Sequence, residues 1–380
     1  MSEITTSQIV SHLHPRPSSD LADHPIPTGK EEVWRFTPMD RMAPLLDADA
    51  DWGEPVIEIE GVGDGAWVAA TQPAKPESTD GETLVPVDRP SAIARARVRK
   101  TYTLHLDMPD QDPVVFSVEG TGSSQAVRLT IRIAPGNRGI VVLRHTGSGA
   151  FIGNVEIVVG DGADLTVVSL QEWDDDALHA GFHQARVGRD AHYRHVAATF
   201  GGSLVRLQNS VAYDGPGGVA ELYGLHVTDA HQHHEHRLFV DQNQPNTTSR
   251  VDYRGALQGK GARSVWVGDV LIRRQATGVD SYESNRNLLL TPGTVAESVP
   301  NLEIETGEII GAGHSTATGR FDDEQLFYLQ SRGIPEDEAR RLILQGFLFD
   351  IIRRIGVPQI EARLQAAVDT ELDITAIEEN

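Results

Sequence analysis

The stretch NVEIVVGDGADLTVVSL, residues 154–170, shows most clearly the pattern on which the predicted fold class rests. Two runs rich in Val, Ile and Leu flank a segment of Gly, Asp and Ala, which is the pattern of short β-strands joined by a tight turn. Asp161 and Gly162 are residue types that favour such turns. The stretch therefore predicts β-structure on both sides of a sharp bend.

The same pattern recurs over residues 101–318, for example in VRLTIRIAPGNRG and SVWVGDVLIRR, with almost no helical periodicity. An all-β region of this length predicts either a two-sheet sandwich or a stacked β-solenoid. No strict sequence repeat is visible, so the pattern leaves both architectures open.

The chain before residue 101 divides into two parts. Residues 1–30 are polar and interrupted by proline, which predicts a mobile N-terminus. Residues 31–100 contain short β-like pieces, and Trp34 and Phe36 are expected to anchor this region to the body. Within it, PAKPESTDGET at residues 73–83 has the composition of a linker.

The chain after residue 318 has the pattern of helices. The acidic run at residues 322–324 favours a helix N-terminus, and Gly333 is a typical helix stop. A second helix is predicted from Pro335 and a third over residues 358–368. The second carries too many apolar residues for one stripe, so we expect burial on two sides, within the fold or by a partner.

The composition excludes several classes of function. The formal net charge of the 380-residue chain is −22, which argues against nucleic acids and anionic membranes as partners, because both attract clustered Lys and Arg. The chain has no cysteine, which excludes disulfides, thiolate catalysis and a cluster held by its own thiolates. The N-terminus lacks a signal-peptide pattern and no apolar run approaches a membrane span, so we expect a cytoplasmic location.

The densest group of potential ligands is DAHQHHEHRLFVDQ, residues 229–242. On an extended strand His234 and His236 point to one face, and His231, His233 and Glu235 point to the other. Such side chains suit a divalent ion, so a metal-dependent β-solenoid or cupin-like enzyme is one hypothesis. The other is a polar strand whose histidines are solvated or bonded to backbone.

A single histidine, His314, lies in the glycine-dense segment GAGHS at residues 311–315. Glycine lets the backbone turn sharply and approach another chain closely. A histidine displayed there fits a metal ligand, a proton carrier or a simple turn residue, and the spacing does not choose among them.

Several segments, in order along the chain, resemble motifs of the SufB/SufD family of iron–sulfur cluster assembly proteins. They are WRFTP at residues 34–38, YESNRNLLL at 282–290, PNLEIE at 300–305, GHSTATG at 313–319 and DDEQLFYLQSRGI at 322–334. The last is the most specific, and the resemblance covers most of residues 31–355. The length and the absence of cysteine favour the cysteine-poor branch of the family.

The resemblance implies a mainly β protein, in which a right-handed parallel β-helix (a β-solenoid) lies between a small N-terminal α/β region and a C-terminal helical domain. It therefore selects the solenoid over the sandwich. The expected segments are a mobile N-terminus at residues 1–30, an N-terminal region at 31–100, a β-helix core at 101–318 and a helical ATPase-docking domain at 319–380.

The resemblance also implies partners. A SufB-like scaffold would pair with the β-helix, and a SufC-like ATPase would bind the C-terminal helices, so ATP hydrolysis would belong to that partner and this chain would be a non-catalytic subunit. A homodimer is compatible with the family when the SufB-like chain is absent. The residues expected to contact a partner are Phe327, Tyr328, Arg332, Phe347, Phe349 and Ile352.

For the site, the family motif is often Cys-Ser-His-Gly-Ala-Thr. Ala312 takes the cysteine position and His314 the histidine position, so the resemblance implies a shared interfacial site for iron or a transient iron–sulfur cluster, with thiolates from the partner. His233 and Glu235 match an upstream His-x-Asp/Glu pair and are further candidate ligands. We expect no cofactor held tightly by this chain alone, and a reduced flavin on the complex is compatible with the family.

The leading hypothesis is therefore a scaffold subunit that contributes to cluster assembly and iron acquisition at the interface with the SufB-like chain. The alternative is the metal-dependent enzyme that uses the cluster from His231 to His236.

Overall fold

The computed structural model describes residues 17–62, 66–71, 84–107, 112–320 and 323–378. Within these residues the chain is mainly β, as predicted, with sixteen strands and five α-helices. The linker predicted at residues 73–83, residues 1–16 of the predicted mobile N-terminus, and Asp322 at the predicted helix start lie outside the described residues.

The secondary structure of the described residues is numbered along the chain. The strands are β1 Val56–Glu60, β2 Ala66–Thr71, β3 Thr101–Leu106, β4 Val114–Ile133, β5 Arg138–Val159, β6 Asp164–Trp173, β7 Leu178–Val187, β8 His192–Thr199, β9 Leu204–Tyr213, β10 Val219–Thr228, β11 His233–Gln242, β12 Thr248–Leu257, β13 Arg263–Ile272, β14 Asp280–Leu289, β15 Val295–Ile304 and β16 Gly311–Gly319. The α-helices are α1 Met39–Leu46, α2 Arg89–Arg97, α3 Asp323–Ser331, α4 Glu336–Ile352 and α5 Pro358–Glu378. Short 3-10 helices cover Leu21–Asp23 and Glu32–Trp34.

From β5 onward the strands wind into a parallel solenoid with two faces. Even-numbered strands stack in the order β5-β6-β8-β10-β12-β14-β16, and odd-numbered strands in the order β5-β7-β9-β11-β13-β15. Strands two positions apart pair in parallel at a spacing of about 30 residues; Thr248 of β12, for example, lies opposite Asp280 of β14. Such pairing belongs to stacked turns and not to an antiparallel sandwich, so the predicted solenoid is confirmed, with about eight turns.

The first turns are made by unusually long strands. β4 and β5 contain 20 and 22 residues and bend around both faces. The bend of β5 contains Gly147 and Gly149, whose φ angles of +81° and +106° favour glycine. The turn predicted at Asp161 and Gly162 is confirmed, because these residues lie between β5 and β6 and Gly162 has a φ of +65°.

The N-terminal region packs against the beginning of the solenoid. β3 pairs in parallel with β4, while β1 and β2 pair antiparallel with β4 and β3. α2 begins with a capping box between Asp88 and Ser91. Trp34 is buried among α1, α2 and the odd-numbered strands, so its predicted role as an anchor is confirmed.

The core lies between the two faces of the solenoid. Alternate residues of each strand point inward and pack there, including the large side chains of Phe116, Tyr253 and Trp266. The outer side of the even-numbered strands packs against α4 and α5, and that of the odd-numbered strands against α1 and α2. Helices therefore cover both faces, whereas most residues of the last strand, β16, are exposed.

The C-terminal helices follow the predicted order. α3 ends before Gly333, whose φ of +86° is the left-handed geometry typical of a helix stop. α4 is buried on two sides within the fold, between the even-numbered strands and α5. α5 continues past the predicted end at residue 368 to Glu378, because residues 359–378 contain no Gly or Pro to interrupt it. None of the helices in the described residues has both the length and the apolarity needed to cross a membrane.

Candidate functional site

The open end of the solenoid is formed by β15 and β16, the two terminal strands of the sheet order. Among the described residues no further strand pairs with their outer edges. Most of β16 is exposed, and an edge strand offers N–H and C=O groups to another chain. A second protein could therefore continue the sheet at this end, which is also where His314 lies.

His314 is in β16, directly opposite Glu283 of the neighbouring strand β14. Its side chain is 43% exposed, and its Nδ1 atom lies 3.9 Å from Oε1 of Glu283. Two residues earlier, Ala312 packs on the apolar core of the solenoid. The last strand therefore presents an imidazole and no thiol.

Glu283 is a site residue whose role is visible only in the structure. Its carboxyl group is 2% exposed, and neither oxygen has a hydrogen-bond partner among the described residues. Burial raises the pKa of Glu283 to about 8, and the charge of Asp269 adds to the rise. The signal that could have found it is strand alternation, because Glu283 shares the inward face of β14 with the buried polar residues Ser281, Asn285 and Asn287.

The other predicted ligands, His233 and Glu235, lie on the outer side of β11 beneath the N-terminal region. Glu235 accepts a hydrogen bond from Thr37 at 2.7 Å and pairs with Arg206 at 3.2 Å and Arg237 at 3.3 Å. Nε2 of His233 lies 3.4 Å from the same carboxylate. Burial raises the pKa of Glu235, but the neighbouring guanidinium groups and His233 outweigh burial and hold the pKa well below its usual range.

Arg206 connects this network to the N-terminal region. It pairs with Asp88 at 2.8 Å, and its guanidinium group lies 4.1 Å over the ring of Trp34. β11 pairs with β9 and β13, whereas β16 pairs with β14, so the structure does not bring His233 and Glu235 to the neighbourhood of His314. Metal binding by His233 and Glu235 stays a prediction; here both residues serve an ion-pair network that ties the N-terminal region to the solenoid.

The remaining histidines of this cluster have different surroundings. His231 is exposed at the corner before β11 and has a φ of +64°. His234 and His236 point into the solenoid, where they bond to Thr228 and Thr199. The predicted alternation along the strand is thus correct, but the side chains do not converge. In the described parts of the chain no three or more His, Cys, Asp or Glu are arranged to hold a metal ion.

The interior of the solenoid contains further buried histidines that the sequence patterns do not single out. They are His145, His179, His183, His195 and His226. Burial lowers the pKa of His145 to about 4 and that of His195 to about 3, so both are neutral near pH 7. Nδ1 of His183 lies 3.1 Å from Nε2 of His195, so one nitrogen of each ring finds a partner inside the core. Their alternation with apolar residues is the signal that could have found them.

The predicted partner contacts on α3 are at the surface. Phe327 and Tyr328 are 71% and 57% exposed, and the guanidinium group of Arg332 lies 5.2 Å over the Tyr328 ring. Phe327 and Tyr328 line a shallow pocket together with Glu324 and Ser331. Exposed aromatic side chains of this size are typical of docking surfaces.

The predicted partner contacts beyond α3 behave differently. Ile352 is fully buried against the even-numbered face, so its prediction as a partner contact is wrong: its side chain is used to cover the solenoid. Phe347 and Phe349 are half-buried against the same apolar cluster. The sequence pattern showed an excess of apolar residues here, but not which of them the fold itself would cover.

Residues 116–347 match the family model described as SUF system FeS cluster assembly, SufBD core domain. The matched segment begins in β4 and ends in α4, so it contains the solenoid with His314 and Glu283.

Three relatives give the extent of the similarity. The iron–sulfur cluster assembly SufBD family protein Mb1497 of Mycobacterium bovis is 47% identical over 369 residues, which cover 94% of this chain and 92% of that protein. The iron–sulfur cluster assembly protein SufD of Escherichia coli is 24% identical over 246 residues, 56% of this chain and 57% of that protein. A second Mycobacterium bovis protein of the SufBD family, Mb1496, is 24% identical over 221 residues, 56% of this chain and 26% of that protein.

Proposed function

Because this chain belongs to the SufB/SufD family of iron–sulfur cluster assembly proteins, we propose that it is the SufD-type subunit of a SUF assembly complex. It would act beside a SufB-like scaffold and a SufC-like ATPase. Mycobacterium bovis has one SufBD protein 47% identical to this chain and another 24% identical, which supports the pairing of two different SufBD chains. The absence of cysteine supports the SufD-type assignment.

The observation that carries this proposal is the uncovered last strand with its exposed histidine. Helices cover both faces of the solenoid, yet β16 is an edge strand, and His314 on it is 43% exposed. Continued pairing of this edge with a SufB-like chain would bring His314 into the interface. In the absence of that chain, the same edge would pair with a second copy.

The chemistry at this interface would be ligand exchange with the cargo, iron or a nascent cluster. A neutral imidazole nitrogen is a good ligand for iron and does not require a thiolate. Since this chain has no cysteine, thiolate ligands to a cluster would come from the partner. His314 would therefore complete a shared site and would not form one alone.

ATP hydrolysis is assigned by the same proposal to the SufC-like subunit. The sequence contains no G-x-x-x-x-G-K-[ST] loop, so it lacks the usual cradle for ATP phosphates. The exposed aromatic surface of α3, formed by Phe327 and Tyr328, would be the docking site. Binding of a reduced flavin to the complex stays a prediction.

The proposal is tested with the His314→Ala variant in a complex reconstituted with the SufB-like and SufC-like subunits. We expect cluster yield, measured by visible absorption and bound iron, to fall well below that of the wild type, while size-exclusion chromatography shows an intact complex. Thr316→Ala, which changes another exposed residue of β16, is the matched control and should leave the yield unchanged.

A wild-type cluster yield in His314→Ala would overturn the proposed ligand role. The same preparation tests docking, because Phe327→Ala should reduce co-purification of the ATPase. The control variant Ile26→Ala, which changes an exposed apolar residue outside α3, should retain the ATPase. Equal retention of the ATPase by both variants would refute the docking surface on α3.

A further inference from the structure

Glu283 is a buried carboxyl group whose two oxygens have no hydrogen-bond partner among the described residues. A carboxyl group withdrawn from water without a donor or a cation is energetically unfavourable, and nearly all buried polar groups are satisfied. Glu235 on β11 is just as buried but is surrounded by donors. The unsatisfied state of Glu283 therefore calls for a partner that belongs beside it.

The interior around Glu283 is shaped to hold a carboxyl group. A Cβ atom at Gly268 would overlap both the carboxyl oxygen of Glu283 and the ring of Trp266, so the glycine leaves the room that the carboxyl group occupies. The nearby acid, Asp269, is half-buried on the outer side of β13, where it accepts a hydrogen bond from Asn301 at 2.6 Å, and its charge disfavours a negative charge on Glu283. The surroundings thus favour a cation at Glu283.

His314 is the side chain through which such a cation could reach solvent. The register pairs Glu283 with His314 directly, and the two side chains differ in exposure, 2% against 43%. When two ligand atoms each lie about 2.1 Å from the same metal ion, the distance between the two atoms is at most about 4.2 Å. The 3.9 Å between Nδ1 of His314 and Oε1 of Glu283 lies within that limit.

We propose that Glu283 and His314 together form a half-site, meaning two of the ligands, for a divalent transition-metal ion at the open end of the solenoid. One imidazole nitrogen and one carboxylate oxygen suit ferrous iron and similar ions, and water or a partner chain would supply the remaining ligands. This inference rests on the proposed function and deepens it, because it gives the cargo iron a second contact on this chain.

The test is titration of the full-length chain with Co²⁺ alone, followed by calorimetry and by visible absorption of the bound ion. We expect one ion per wild-type chain, and an affinity at least about tenfold weaker in both Glu283→Gln and His314→Ala, as loss of a coordinating contact requires. Glu308→Gln makes the same substitution at an exposed position shortly before β16 and should bind Co²⁺ like the wild type. Circular dichroism verifies that each variant is folded.

Three outcomes would overturn the half-site: wild-type affinity in Glu283→Gln, an equal loss in Glu308→Gln, or no binding by the wild-type chain. The proposed function fails separately. If Glu283→Gln binds Co²⁺ normally while His314→Ala lowers cluster yield in the complex, the half-site is refuted and the interfacial role stands. If both variants lose Co²⁺ while His314→Ala gives full cluster yield, the half-site stands and the interfacial role is refuted.

Discussion

Two histidine–glutamate pairs in the described part of the chain have a fully buried carboxyl group, and they differ in what surrounds that group. Glu235 beside His233 accepts hydrogen bonds from Thr37 and pairs with two arginines. Glu283, beside His314 at 3.9 Å, has no hydrogen-bond donor among the described residues. The carboxyl group of the pair in β11 therefore has all its hydrogen-bond partners, whereas the carboxyl group of the pair at the last turn has none among the described residues.

Burial alone does not decide the protonation state of a carboxyl group in this protein. Burial raises the pKa of both residues, but at Glu235 the arginines reverse the effect, whereas at Glu283 the pKa remains raised to about 8. An ion-paired carboxylate has no free lone pairs to offer a metal ion. The carboxyl group of Glu283, which has no hydrogen-bond partner among the described residues, has lone pairs available for a metal ion.

The largest expected effect comes from breaking the pair in β11 with Glu235→Ala. The substitution leaves the buried side chains of Arg206 and Arg237 without a shared carboxylate, and removal of one partner from a buried network costs about 3–5 kcal/mol. The free energy of unfolding in urea measures this change. A loss of less than about 1 kcal/mol would mean that the network does not hold the N-terminal region to the solenoid.

The next effect is a difference in pH dependence between the wild type and Glu283→Gln. Because the folded-state pKa of Glu283, about 8, exceeds its ordinary value of 4.5, the folded state binds more protons in between and stability falls as pH rises through this window. The slope reaches about 1.4 kcal/mol per pH unit, so the wild type should lose roughly 2 kcal/mol relative to Glu283→Gln between about pH 5.5 and 7.

Unfolding in urea across that pH range measures the difference, and parallel curves for the two proteins would contradict it. Glu235 has the opposite sign: its pKa is lowered in the folded state, so its contribution is complete above its ordinary value of 4.5 and is lost as pH falls below it. The two pairs should therefore respond to acid in opposite directions.

The smallest expected effect is that of His314→Ala on stability, less than about 0.5 kcal/mol, because the side chain is half-exposed at an edge. His233→Ala should cost about 1 kcal/mol or more, since it removes a buried contact of Glu235. Thermal unfolding of the two variants side by side checks this contrast. Equal losses of stability in the two variants would contradict this contrast and would mean that His314 contributes as much to stability as the buried His233.

Sequence reasoning reached the fold class and the position of His314, but not its neighbour. Short alternating strands predicted β-structure, and the family resemblance selected the solenoid that the parallel register confirms. His314 was visible because it stands alone among glycines. The pairing of Glu283 with His314 could not be predicted, because a sequence motif does not specify which residue of the neighbouring strand lies opposite. The two paired residues are about 30 positions apart in the chain.

The error at Ile352 has the same origin. The sequence shows that α4 has more apolar surface than one stripe requires, but the solenoid face that covers Ile352 is made of strands far away in the chain. The cluster from His231 to His236 was also predicted only in part. Strand alternation correctly assigns its residues to two faces, but the contacts of Glu235 are with Thr37 and Arg206, which are distant in the chain.

The local properties of this chain follow from its sequence: the strand and turn pattern, the helical C-terminus, the absence of thiols and the family. Which polar groups are satisfied follows only from the folded structure. That depends on contacts between residues distant along the chain, and in a low-dielectric interior these contacts outweigh the intrinsic preference of a side chain. Glu235 and Glu283 have the same chemistry, and only the fold separates a structural ion pair from an open ligand.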